Sequence, residues 1–470
     1  MTRGAVLCLN LRLASHHDSS QSGARMSRRK SIVAGFSVLL LALQAGAAAL
    51  DNAVERELPS LLAIYKELHA APELSHFETA TSATLAAQLR AAGFEVTEGV
   101  GKYTSPGFQG HGVVAVLDNG KGPTLLIRSD LDALPVQEKT GLPYASSVRF
   151  KMPGGQEMPV MHACGHDIHI SSLIGTARVL ASMRKSWHGK LILIGQPAEE
   201  TIDGASAMLR DGLYERFGRP DFALALHDWD DVPAGKVGLT PGFALATSTQ
   251  MDITVRGVGG HGSKPEKAKD PVVLAAQIVL ALQTIVSREV SPFDQAVVTV
   301  GTIHGGTKRN IIPDEVRLEL NIRTYKEAVR QHILASVDRI AHGLAQAAGM
   351  PADRMPIVQV MDNEFAPALY NDPKLSARIA PAIIRELGAD NVLELPPVMG
   401  SEDFGQFGLD GKIPVVMFRV GAVDPARYAE AQRTGAVLPS VHSSLFAPLP
   451  GPTIETGVRA MVAAALELLK

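Results

Sequence analysis

The chain has 470 residues, 46% hydrophobic and 20% charged, with a formal net charge of −3. This near-neutral balance leaves no electrostatic footprint for nucleic acid. The length exceeds one ordinary core, so two domains are expected.

Residues 1–49 read as a leader and signal peptide. Arg28, Arg29 and Lys30 form a basic start after Met26, an apolar run extends from Ile32 to Leu43, and Ala47-Ala48-Ala49 offers a small-residue cleavage site. The run is too short for a membrane span. A mature protein beginning near Leu50, periplasmic or secreted and without a stable membrane span, is expected; an uncleaved anchor is the rival reading. Met1 and Met26 are both candidate starts.

Helices are expected over 59–71 and 78–92, the second closed by Gly93. Apolar runs at 113–117 and 124–127 predict strands, followed by a helix over 168–184, a strand at 191–194, a helix over 203–213 and a strand at 222–226. Alternating strands and helices predict an α/β domain with a mixed, mainly parallel sheet covered by helices on both faces.

From about residue 248 the order changes. A strand at 251–256 precedes a helix over 271–288, with Asp270 as N-cap and Pro271 at its first position. Strands at 296–303 and 316–323, a helix over 327–348 and a strand at 356–361 follow. The β-α-β-β-α-β order is that of a ferredoxin-like α+β unit. α/β character then resumes, with a helix near 374–388, a strand at 415–420 and a last helix near 453–469. The expected organisation is a leader (1–49), a catalytic domain in two parts (50–247 and 362–470) and an inserted domain (248–361).

Cys164 stands out. Of the two cysteines, Cys8 falls in the leader. A thiol without a disulfide partner is buried and inert, exposed and reactive, or held by a metal. It lies two residues before His166, and thiolate and imidazole are ligands that zinc-like metals prefer. In open α/β sheets, ligands bind beyond the carboxyl ends of strands. The expected strands run into Asp130 and Asp132, into Glu199 and Glu200, and into His227 and Asp228. One carboxylate of an adjacent pair can bind metal while its neighbour accepts a proton from water.

These residues carry a resemblance. Arg128-Ser129-Asp130-Leu131-Asp132-Ala133-Leu134-Pro135, His162-Ala163-Cys164-Gly165-His166-Asp167, Gln196-Pro197-Ala198-Glu199-Glu200, Leu226-His227, His261-Gly262-Ser263, Asn310-Ile311-Ile312-Pro313-Asp314, Gly400-Ser401-Glu402-Asp403-Phe404 and Val441-His442-Ser443 occur in this order. Together they resemble the binuclear-metal aminoacylase/carboxypeptidase family. The resemblance is to its amidohydrolase branch of hippurate hydrolases, N-acyl-amino-acid hydrolases and auxin-conjugate hydrolases, and covers about 55 to 465.

The resemblance implies two divalent ions per subunit, zinc, manganese or cobalt. Cys164, His166, Glu200, His227 and His442 would be the ligands, with the thiolate bridging. Glu199 would be the general base for a metal-activated water and then the acid to the leaving nitrogen. Asp132 would orient a ligand imidazole, and Glu402 would support His442. The inserted domain would pair two subunits and act as a lid, delivering His261 to the reacting carbonyl. Asn310 and Arg323 would hold the substrate's carboxylate or amide oxygen. The substrate would be an N-acyl amino acid or small peptide.

Two stretches depart from the family pattern. The segment after His442 is apolar and proline-rich where an acidic tail is usual, and Asp228-Trp229-Asp230-Asp231 is unusually acidic. An exported di- or aminopeptidase is the alternative enzyme, with Asp228 or Asp230 meeting a free α-amine. A non-catalytic solute- or metal-binding protein would need Glu200 but not Glu199.

Overall fold

The computed structural model describes residues 50–470. The leader read over 1–49 lies outside the described residues. A helix occupies residues 50–70, and a second spans Thr79–Ala91. Gly93 closes the second helix at φ +89°, its N–H on the Arg90 carbonyl and the Phe94 N–H on the Leu89 carbonyl. Glycine takes this left-handed turn without a Cβ clash.

The central sheet has the order Glu95–Val100, Gly112–Asn119, Gly189–Gln196, Thr124–Asp130, Phe222–Pro233, Val415–Val423, Val237–Leu239, Val392–Glu394. From Gly189–Gln196 to Val415–Val423 the neighbours are parallel. The first two pairings, and that of Val415–Val423 with Val237–Leu239, are antiparallel. The parallel strands are buried on both faces, which is why their apolar runs are nearly continuous. On one face Met208, Leu213, Phe404 and Phe407 pack against Leu126, Ile192, Ile194 and Ala225. Helices Thr79–Ala91, His166–Ser182 and Pro450–Leu468 cover the other.

A second, antiparallel sheet has the order Ala296–Gly305, Glu315–Thr324, Ser248–Arg256, Ile357–Ala366. Along Glu315–Thr324, Val316, Leu318, Leu320 and Ile322 are buried, and Arg317, Glu319, Asn321 and Arg323 point the other way. Helices Pro271–Thr284 and Glu327–Ala347 drive Leu274, Ile278, Leu282, Ile333, Val337 and Ala341 into the same core. Asp270 caps the first of them, accepting the Val272 N–H at 2.8 Å. With the π-turn that follows, Pro271–Glu289 is long and apolar enough to cross a membrane by length and composition, yet one side of it packs on this sheet. Residues Ala53–Lys470 form one compact unit.

Several elements differ from expectation. The strand expected to stop at Leu226 continues to Pro233, still paired with Val415–Val423 through Asp228, Trp229 and Pro233. The helix expected over 203–213 is two short helices, Gly204–Arg210 and Leu213–Phe217, broken at Gly212, which sits at φ +78°. The strand expected to end at 361 runs to Ala366, where it pairs with Ser248. Helix Pro425–Thr434 was not expected; only Ala431 is buried, so no apolar stripe marks it.

Candidate metal centre and substrate cavity

Gly165 starts the site. It precedes helix His166–Ser182 at φ +76°, and a Cβ there would lie 2.3 Å from Asp228 Oδ2. Conformation and space both demand glycine. The turn carries Cys164 on one side and His166, buried, on the other. A second tight turn follows strand Gly189–Gln196. Ala198 is left-handed at φ +52°, and its N–H donates to buried Glu78 at 2.7 Å. The next N–H but one, from Glu200, donates to Asp132 Oδ2 at 2.9 Å. Backbone bonds on both sides of Glu199 thus fix its direction.

Three imidazoles and one carboxylate converge on Cys164. His442 Nε2 lies 3.2 Å and His227 Nε2 3.5 Å from Cys164 Sγ. Glu200 Oε1 is 3.5 Å from His442 Nε2 and 3.9 Å from His166 Nε2. Two of the groups of candidate ligand atoms share the sulfur, Cys164–His166–His227 and Cys164–Glu200–His442; others, His166–Glu199–Glu200 and Asp130–His166–His169 among them, do not include it. His227 Nδ1 donates to the Asp228 carbonyl at 2.6 Å, which leaves its Nε2 lone pair for a cation. Among the described residues, His166 Nε2 and Glu200 Oε1 are buried with no hydrogen-bond partner. Buried polar atoms without partners are costly unless something else binds them. The donor set fits two divalent cations, with the sulfur between them.

The electrostatics agree. Arg128, fully buried, bonds Gln196 at 2.9 Å, Asp130 at 2.6 Å, Glu402 at 2.7 and 3.2 Å, and Asp403 at 3.3 Å. One guanidinium cannot balance those acids together with Asp132, Glu199 and Glu200. Burial, then Glu402 and Glu200, raise the Glu199 carboxyl well above the usual range. Burial, opposed by His166 and aided by Asp132, pushes Glu200 up to about 8. Burial and the carboxylates of Glu200 and Glu199 raise the Cys164 thiol. Burial works against a charged His166, but Asp130, Asp132 and Glu200 prevail and hold it at about 10. Burial, with His169 and His166, keeps His227 well below the ordinary imidazole value.

A cavity of about 360 Å³ opens over this cluster. Cys164, Glu199, Glu200, His227, Glu402 and His442 line it with Ile202, Trp229 and Leu245; Ser248, Gln250 and Arg323 enter from the second sheet. Arg323 donates to Asn321 Oδ1 and the Met399 carbonyl. No carboxylate pairs with it among the described residues.

Of the site residues named from sequence, four do not line this cavity: His166 and Asp132 are buried, and His261 and Asn310 are exposed. His261 is exposed on the short strand Gly260–His261, with Nδ1 taken by Ser263. Asn310 is exposed beside it, its carbonyl accepting the Gly262 N–H at 2.9 Å. No hydrogen bond joins Glu402 to His442 among the described residues; Glu402 binds Arg128 and caps the turn at Phe404. The correction follows from Arg128, whose buried charge draws the carboxylate inward. Asp132 lies where expected, with Oδ1 3.3 Å from His166 Nδ1.

Sequence reasoning missed the support behind the ligands. His169 bonds Asp130 at 2.7 Å and Asp228 at 3.1 Å. Its spacing of three residues from His166 on one helix was the available signal. His69 bonds Asp167 at 2.6 Å and Glu138 at 3.2 Å. Glu78 and His69 lie far from the motifs in sequence, and no local pattern points to them.

The fold and site define a metal-dependent hydrolase of amide or peptide bonds. Residues 126–433 match the family described as Peptidase family M20/M25/M40, and the chain belongs to it. It is 38% identical over 350 residues to the hippurate hydrolase of Campylobacter jejuni, covering 73% of this chain and 84% of that one. It is 34% identical over 348 residues to the N-acetyl-L-cysteine deacetylase of Bacillus subtilis, covering 74% and 77%. Among solved structures, a dinuclear metal-binding peptidase of the M20 family from Bacillus subtilis superposes with a TM-score of 0.68 at 27% identity, covering 88% of this chain and all of that one.

Proposed function

We propose that this protein hydrolyses the amide bond of N-acyl amino acids, with Glu199 carrying the proton. Two divalent cations, held by Cys164, His166, Glu200, His227 and His442, would supply Lewis-acid polarisation of the carbonyl and of the attacking water. Glu199 lines the cavity beside Glu200; its Oε2 lies 3.9 Å from His166 Nε2, as Glu200 Oε1 does, but only Glu200 also approaches His442, at 3.5 Å. It takes a proton from the water and delivers it to the departing nitrogen. Its raised pKa suits a group that must hold that proton between the two steps. Arg323 receives the substrate's carboxylate. The observation that carries the substrate reading is this guanidinium without an acid partner, facing the same cavity as Glu199. The C. jejuni and B. subtilis relatives, named for N-acyl substrates, support it.

The di- or aminopeptidase alternative rests on Asp228 or Asp230 meeting a free α-amine. Asp228 is buried against His169, and Asp230 accepts the Val441 N–H; neither lines the cavity. The test is product release from N-acetyl and N-benzoyl amino acids against unblocked dipeptides, each with Zn²⁺, Mn²⁺ and Co²⁺. Faster turnover of unblocked dipeptides would overturn the reading.

The ferredoxin-like assignment of the second sheet and its two helices, and their role as a lid and dimerisation domain, belong to the same proposal. Val272, Val273 and Leu280 are exposed on helix Pro271–Thr284, and Val297 and Ile303 on the edge strand Ala296–Gly305. Exposed apolar groups beside an open strand edge suit a two-fold contact. Such a homodimer would bring His261 and Asn310 to the partner's cavity. Export through the leader completes the proposal.

A further inference from the structure

We infer that Asp230 is a positioning residue that holds His442 in place for the second cation; the inference rests on the reading of His442 as a ligand. His442 lies in a stretch without helix or strand, between Thr434 and Pro450. Its side chain is 54% exposed, unlike His166 and His227. Its backbone is left-handed at φ +66°, a conformation that costs a non-glycine residue energy. Neither packing nor local preference keeps it there.

Hydrogen bonds do, and besides those of Ser443 and Ser444 further along the loop, two act at His442 and the residue before it. The His442 N–H donates to the Ala163 carbonyl at 2.7 Å, tying it to the Cys164 turn. The adjacent Val441 N–H donates to Asp230 Oδ2 at 2.8 Å. Asp230 is on strand Phe222–Pro233, three residues after His227. One strand thus presents one ligand directly and fixes another through a carboxylate. The acidic run Asp228-Trp229-Asp230-Asp231 divides its work: Asp228 braces His169, and Asp230 braces the His442 loop. A charge-assisted bond to a backbone N–H is among the stronger single contacts available for this.

The Cys164–Glu200–His442 group should therefore depend on Asp230, and the Cys164–His166–His227 group should not. Zn²⁺ titration of the metal-free full chain by calorimetry, with metal content after dialysis, reads this directly. Wild type should bind two ions. Asp230→Ala should weaken one step at least about tenfold, the usual effect of losing a group that orients a ligand, and leave the other unchanged. Activity should return at high Zn²⁺ with kcat near wild type, as a purely positioning role requires. Asp230→Asn keeps an acceptor oxygen and should bind both ions nearly as well as wild type. His442→Ala is the control. If it still binds two ions tightly, the ligand reading of His442 fails. If it loses one ion while Asp230→Ala keeps both at wild-type affinity, only the role of Asp230 fails. Equal weakening of both steps in Asp230→Ala, with a lowered melting temperature of the metal-free chain, would make Asp230 a general support of the fold and overturn the inference.

Discussion

Asp132 serves His166 and Glu200 at once: Oδ1 lies 3.3 Å from His166 Nδ1, and Oδ2 accepts the Glu200 N–H at 2.9 Å. Ser75 donates to the same Oδ2 at 2.6 Å and holds the carboxylate still. One side chain thus orients a residue from each ligand group. Asp132→Ala is expected to weaken both cation-binding steps by roughly 10–100-fold each, the cost typical of losing a partner that orients a ligand. Calorimetric titration checks this. Loss at one step only would mean that Asp132 matters to His166 or to Glu200, but not to both.

Cation binding should release protons. Burial and the Glu200 and Glu199 carboxylates hold the Cys164 thiol up. Burial, against His166, puts Glu200 at about 8, and the surrounding acids keep His166 at about 10 despite burial. Near neutrality all three therefore hold protons in the metal-free protein, and a cation must displace them. Affinity should rise with pH, by about tenfold per unit for each proton displaced. Calorimetry in buffers of different ionisation enthalpy counts the protons. An affinity independent of pH between about 6 and 8 would contradict this.

His69 makes a separate stability prediction. Burial opposes its charge, but Asp167 and Glu138 outweigh it and raise it from 6.5 to about 10. A raised histidine contributes its full stabilisation below the unfolded value near 6.5. That contribution is lost as pH climbs through about 10. His69→Gln leaves two buried acids facing each other and should cost about 3–5 kcal/mol at pH 6. The deficit relative to wild type, from denaturant midpoints of the metal-free proteins, should shrink toward about pH 10. A deficit that does not change with pH would mean that His69 packs without its charge.

Most candidate metal ligands were legible because they follow apolar strand runs or sit at a glycine-marked helix start; His442, in a stretch without helix or strand, was named only through the resemblance. Asp130, Glu200 and His227 follow runs whose burial on both faces makes them continuous and easy to read. Glu78 and His69 were not legible, because their partners Ala198 and Asp167 come from elsewhere in the chain, and His169 offered only its spacing from His166. The extension of strand Phe222–Pro233 escaped notice for a related reason. Beyond Leu226, His227, Asp228, Asp230 and Asp231 interrupt the apolar run, and the strand is continued by backbone pairing. Glu402 was read as a neighbour of His442 from its place among the motifs, whereas charge took it to Arg128.

His261 tests the dimer. It is exposed and outside the cavity of its own chain. His261→Ala and Glu199→Gln should each be nearly inactive. Unfolded together and reassembled, they should form mixed dimers with one doubly defective site and one intact site. Random reassortment makes about half the dimers mixed and returns about a quarter of wild-type activity. No recovery, with mixed dimers shown to form, would confine His261 to its own chain or to no catalytic role.

In the proposed mechanism Glu199 moves the proton while its neighbour Glu200 binds metal. Glu199→Gln, assayed for hydrolysis of an N-acyl amino acid and analysed for bound metal in the same preparation, separates the two. Two cations per chain, as in wild type, are expected, with a kcat lower by roughly 10²–10⁴-fold, the usual worth of a positioned acid–base group. A variant that retains both its metals and more than about a tenth of wild-type kcat, well above that range, would contradict the mechanism.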